Sequence, residues 1–383
     1  MSKACLILLT LCLASSAFAQ RGLGYDRVVV PQTRIDLRDL GYSPVDLIPD
    51  GESGITSLTV APNGDVYGAT SGTRSHLFVM NPQRGYVFPI GVIAGATSVT
   101  HAVAVSEAGN VFIGVAPTGH LLEYTPQELK NIEIGKALEA SDLGVAVSGE
   151  SISALTIDRK ANVLYGLTAP GAHFFSYAIS TKKFADLGSI AKAIVPGGRF
   201  EKFERDRIVS KVLVVDEHGN VFASGDDGYF FEFVAKTQTL EKLAIHVPAV
   251  PGREPYTCVD AFLLDPSGVI YGGTSDGYLF QLDPEKLTVK NLGKPLSEYR
   301  IAGLAHARDG KLYGTGGDGT EMARMFSYDP ATAGYDVLGF VDVNRRPYYT
   351  WQAYVIGDIV SDDRGTVYIG EDERISKLYL YFP

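Results

Sequence analysis

The chain has 383 residues, longer than one average domain and shorter than three. It is 45% apolar and 20% charged, with a mean hydropathy of +0.06, which excludes global disorder. Its 42 glycines, 21 tyrosines and 18 phenylalanines suit a turn-rich β protein, and a net charge of −10 argues against a nucleic-acid binder that relies on bulk charge.

Residues 1–19 read as a secretory leader. Lys3 is a short positive segment, ACLILLTLCLA (Ala4 to Ala14) is apolar, and Ala17-Phe18-Ala19 is a small-residue cleavage signal before Gln20. The apolar run is too short to span a bilayer and no later stretch is long enough. Export to the periplasm or beyond is therefore expected, with residues 20–383 as one domain. Cys5 and Cys12 leave with the leader, so Cys258 has no intramolecular disulfide partner.

The mature chain repeats. A β-rich run, a tight turn, an aromatic strand, a polar turn and a second aromatic strand recur seven times, as in GITSLTVAPNGDVYGATSGTRSHLFVMNP and VDAFLLDPSGVIYGGTSDGYLFQLDP. The equivalent turn positions are Gly64, Gly109, Ala161, Gly219, Gly268, Gly310 and Gly365, between 42 and 58 residues apart. Such periods with about four strands per unit predict a seven-bladed β-propeller. A fourth strand is marked by ADLG ending at Gly188, KNLG at Gly293 and DVLG at Gly339. The last copy ends at Pro383 one strand short, and Arg34 to Gly41 (RIDLRDLG) supplies the missing signature. That N-terminal strand is expected to join the last blade and remove an open sheet edge. Tyr67, Phe112, Tyr165, Phe222, Tyr271, Tyr313 and Tyr368, one per second strand, are expected to pack between blades.

Chemistry is sought where the repeat breaks. The innermost strands begin at Thr56, His101, Ser153, Lys211, Asp260, Ala302 and Gly357, among which His101, Lys211 and Asp260 stand out. The third strands begin at His76, His120, His173, Tyr229, Tyr278, Arg324 and Lys377. His101 and His120 belong to one blade and form a candidate acid/base pair, since imidazole titrates near neutrality. Two long inter-blade loops add cations and aromatics: Val195 to Lys211 with Arg199, Arg205, Arg207 and Lys211, and Asn344 to Tyr354 with Arg345, Arg346, Tyr348, Tyr349, Trp351 and Tyr354. Guanidinium forks and stacking rings suit a charged sugar.

With THAVAV around His101, TGHLLEY around His120 and a basic loop two blades later, the chain resembles the secreted propeller ulvan lyases, polysaccharide lyase families twenty-four and twenty-five. The resemblance implies β-elimination on a uronic-acid-containing, possibly sulfated polysaccharide, with His101 and His120 as base and acid and Tyr165 nearest the families' tyrosine. It also implies a carboxylate-neutralising cation among Arg199, Arg205, Arg207 and Lys211, with Tyr229, Tyr349 and Trp351 on the substrate. No cofactor is required, a structural metal is left open, and a monomer is expected. Two other readings remain: a non-catalytic propeller binding a glycan or protein, and a hydrolase using Asp260 and Asp358.

Overall fold

The computed structural model describes residues 33–36, 48–128, 131–133, 135–199, 201–202, 209–297, 299–345 and 349–383. The leader and the arginines Arg205, Arg207 and Arg346 lie outside them, as does Tyr348. Seven four-stranded antiparallel sheets are arranged as the blades of a propeller, numbered here in chain order. The fifth is representative: Val259–Leu264, Ile270–Thr274, Leu279–Asp283 and Thr288–Gly293 pair in sequence from the channel outward.

Burial explains which segment takes which position. Second strands such as Ile270–Thr274 and Leu312–Gly316 are buried throughout. Outer strands such as Lys183–Ser189 and Thr288–Gly293 mix exposed and half-buried residues and have none that is fully buried, as the wet edge of a sheet allows. The core lies in slabs between adjacent blades. The seven second-strand aromatics are all buried there, and Tyr165, Phe174 and Phe233 hold ring centroids 5.4–6.2 Å apart.

The tight turns leaving the inner strands follow one design, with Gly64, Gly109, Gly219, Gly268, Gly310 and Gly365 at φ of 79–86°. In the third blade the left-handed residue is Asn162 (φ 55°), one position after the expected Ala161. Asparagine is among the few residues that tolerate this region.

In the seventh sheet, Thr33–Asp36 lies antiparallel beside Lys377–Tyr381, with Thr33 opposite Leu380 and Asp36 opposite Lys377. The seam between blades seven and one is also stitched by later residues: Gly51 N–H donates to the Arg374 carbonyl (2.9 Å) and Ser376 N–H to Ser53 Oγ (3.1 Å). The long loop before the last blade is an ordered two-stranded ribbon, Asp342–Arg345 against Tyr349–Gln352. Among the described residues no helix is long and apolar enough to cross a membrane.

Candidate active site at the channel mouth

The inner strands enclose a polar channel cavity of about 330 Å³, with His101 and Asp358 toward the upper loops and Arg159 in the turn that ends the third inner strand. A second cavity, about 510 Å³, is lined by Thr100, Ser153, Lys211, Arg253, Tyr256 and Cys258, among others. Thr100 lines the larger cavity and the next residue, His101, lines the channel cavity.

His101 is the most unusual residue there. Its backbone is left-handed (φ 45°), a region costly for a residue with a Cβ. Two hydrogen bonds fix it: His101 N–H donates to the Thr56 carbonyl of blade one, and Leu155 N–H of blade three donates to the His101 carbonyl, each 2.9 Å. The ring is 6% exposed, with Nδ1 3.5 Å from Asp358 Oδ2. That oxygen is itself anchored by Leu58 N–H (2.7 Å), and Oδ1 accepts Ile359 N–H (2.8 Å). Nε2 has no hydrogen-bond partner among the described residues. Asp358 is thus close enough to pair electrostatically with one imidazole nitrogen, while the other is buried without a partner, and imidazole is the side chain best suited to proton transfer near neutrality.

A chain of alternating charge extends from this dyad into the larger cavity. Asp260 is fully buried and shared by two cations: Lys211 Nζ at 3.0 Å and Arg300 Nε at 3.0 Å. Arg300, also left-handed (φ 63°), donates its NH1 to the Ile356 carbonyl (3.1 Å). Burial pushes the Asp372 carboxyl up, against the pull of Arg300 and His101. Arg253 Nε contacts buried Asp276 at 3.3 Å, while Asp276 Oδ2 accepts the Thr257 hydroxyl (2.7 Å). Lys211 and Arg253 thus present partly exposed cations on rigid buried carboxylates. Burial pushes the Cys258 thiol up, and its Sγ donates to Asp260 Oδ1 (3.3 Å).

The structure brings His101 and Lys211 to this region and leaves His120 outside both cavities. His120 is half exposed, and its Nδ1 lies 2.9 Å from Asp142 Oδ1, which also accepts Gly144 N–H. His173, Asp186 and Gly188 repeat this clip one blade later. A side chain duplicated with its partners is explained by the repeat, and Asp142, on the outer strand, draws the ring away from the channel. Tyr165 is likewise unavailable to substrate, because it is buried between Phe174 and Phe233.

Tyr229 packs against His246 at a tilt of 40° (centroids 3.6 Å apart), with Lys242 Nζ 4.2 Å from its ring centroid, at the start of a third strand. Trp351 is a strut: its Nε1 donates to Glu371 (2.9 Å), and Lys377 Nζ covers the ring at 3.6 Å. Tyr349 is in the ribbon strand, its side chain outside the described residues, and Arg199 is exposed on the loop before blade four. Arg253, Tyr256 and Arg300 were not singled out from sequence; the available signal was that Arg300 directly precedes an inner-strand apolar run (IAGLAH). Among the described residues no group of three or more His, Cys, Asp or Glu side chains gathers to hold a metal ion.

No protein-family model matches the chain, and no curated protein matches it. Solved propellers do. A catalytically inactive histidine-to-alanine variant of virginiamycin B lyase from Staphylococcus aureus, with quinupristin, aligns at TM-score 0.63 and 8% identity, over 92% of this chain and 99% of that one. An extracellular domain assigned to a one-component system from B. thetaiotaomicron aligns at TM-score 0.63 and 13% identity, over 92% of this chain and 40% of that one. A chain of the mitotic checkpoint complex gives 0.61 and 13%, over 93% and 92%. At such identities the likeness is one of fold: a β-propeller.

Proposed function

We propose that this propeller is a lyase that cleaves a uronic-acid-containing polysaccharide by β-elimination, with His101 as the base. The observation that carries this reading is the His101–Asp358 dyad, strained, buried and uncommitted at Nε2, beside a cavity furnished with Lys211 and Arg253. The substrate carboxylate sits against Lys211, whose charge stabilises the enolate-like anion that develops when the C5 proton leaves. His101 Nε2 takes that proton, the C4–C5 double bond forms as the C4–O4 bond breaks, and the imidazolium returns the proton to departing O4. One histidine serves as base and then acid, and the chemistry asks for no redox cofactor. The virginiamycin neighbour's name also denotes a lyase, on a different class of substrate. The hydrolase reading is weaker because Lys211 and Arg300 already occupy the Asp260 carboxylate.

The test is turnover on ulvan, alginate, polygalacturonate and chondroitin sulfate, followed by the ultraviolet absorbance of unsaturated uronate. His101→Asn should lower turnover by about 10²–10⁴-fold. Lys211→Met should lower kcat comparably, since that charge acts mainly in the transition state. His120→Ala should leave activity near wild type. Unchanged turnover in His101→Asn would refute the assignment.

A further inference from the structure

We propose that the upper face carries an extended track for an anionic glycan polymer, in which Tyr256, Tyr299 and Tyr354 form successive stacking platforms leading out of the cavity across blades five, six and seven. This rests on reading the cavity as a uronate site and adds the form of the ligand: a long chain held at several sugars, with the reacting unit at His101.

Four large aromatic side chains are exposed among the described residues, and three of them lie in the segments that lead into the inner strands of blades five, six and seven. Tyr256 (61% exposed), Tyr299 (52%) and Tyr354 (41%) each stand two or three residues before an inner strand, at Val259–Leu264, Ile301–His306 and Ile356–Ser361. Isolated exposed aromatics are ordinary, but a series in corresponding segments on one face marks a surface built to be covered. The segments are joined by backbone contacts. Ser275 N–H donates to the Cys258 carbonyl and Arg300 N–H to the Ser275 carbonyl, each 3.0 Å. Gly317 N–H donates to the Tyr299 carbonyl (3.0 Å), and a methyl on Gly317 would lie 3.2 Å from the Tyr354 carbonyl. The row therefore starts at the cavity wall, which Tyr256 lines, and the segments that carry the other two tyrosines are linked to it through the backbone.

Charge selects the occupant. Arg253 lines the cavity beside Tyr256, and Lys294 Nζ lies 4.9 Å from the Tyr299 ring and 5.7 Å from that of Tyr278. The neighbouring carboxylates are fixed in place by hydrogen bonds, which hold the Glu254 carboxyl (through backbone N–H groups) and the Asp318 carboxyl (through the Thr320 hydroxyl and N–H) below their ordinary range and so anionic. Glu373 accepts the N–H groups of Tyr354 and Val355 (2.7 and 3.3 Å), Glu254 accepts Gly252 N–H (3.1 Å), and Asp318 accepts Thr320 N–H (3.0 Å). Flat rings for pyranose faces, with Arg253 lining the cavity alongside Tyr256 and Lys294 over Tyr299, fit a polyuronate or sulfated glycan.

The test is titration calorimetry of the full protein with ulvan, alginate, polygalacturonate and chondroitin sulfate, and with the disaccharide of each. Wild type should bind at least one polymer about tenfold or more tighter than its disaccharide. Tyr299→Ala and Tyr354→Ala should each weaken polymer binding about five- to tenfold and leave disaccharide binding unchanged, whereas the Phe variants, which keep the ring face, should bind like wild type. Equal affinity for polymer and disaccharide, retained polymer binding in both alanine variants, or binding of none of the four polymers would overturn the track. Polymer binding lost in the alanine variants, with no unsaturated product from wild type, would sink the lyase reading and leave the track standing.

Discussion

His101 illustrates what one residue carries in this protein. Its identity was visible in the sequence, because no other inner strand starts with histidine. Its left-handed backbone, its contact with Asp358 from blade seven and its unpartnered Nε2 were not, because they arise from segments of other blades, up to more than 250 residues away. Tyr165 shows the opposite: the letter fits both a catalytic tyrosine and the packing series, and burial decides for packing. Trp351 has a similar history, since a tryptophan in a basic loop suggests sugar stacking but its N–H is bound to buried Glu371. Burial pushes the Glu371 carboxyl up to about 8, against the hydrogen bond from Trp351. The folded protein therefore keeps a proton there that the unfolded chain releases near 4.5. This contribution is fully present below that lower value and is lost as pH rises through about 8. Glu371→Gln should flatten the fall in stability between these limits, read as the urea midpoint at several pH values. An unchanged pH profile in the variant would show that Glu371 is ionised when folded.

At the scale of elements, the strand repeat was legible because alternation and turn glycines are local signals, whereas which side chains meet across a sheet is not. Gly272 on a second strand lies under Phe280 of the third, and Gly68 and Gly314 lie under Phe78 and Phe326 in the same way. A methyl on Gly272 would come within 2.1 Å of the Phe280 ring. Gly272→Ala should therefore cost about 1–3 kcal/mol through overpacking. A melting curve like wild type would mean that the ring can move aside. The ribbon Asp342–Gln352 read as an irregular loop because its charged and aromatic residues carry no strand period. The His120–Asp142 clip was half visible in the SDLG of blade two and the ADLG of blade three, but only the folded sheet shows each aspartate reaching back to a histidine.

For the whole molecule, blade count followed from the repeat count, and the direction of each inner strand fixed which loops surround the channel mouth. The pairing of Thr33–Asp36 with Lys377–Tyr381 joins the two ends of the chain in one sheet. Replacing Ile35 and Leu378, which are opposite in register, by cysteines should give an intramolecular disulfide under oxidation and raise the melting temperature. Three free thiols, Cys258 included, after oxidation of the folded protein would mean that the N-terminal strand lies elsewhere. Charge placement is the other global property: Lys211, Arg253 and Arg300 are each held on a buried aspartate, an arrangement that bulk composition concealed. The central claim is that His101 drives an elimination at the channel mouth, and mass spectrometry of the products from a uronate polymer tests it most directly. Wild type should form fragments lighter by one water than hydrolysis products, each with an unsaturated end, and His101→Asn should not. Fragments carrying the added water, or an intact polymer that the protein nevertheless binds, would contradict it.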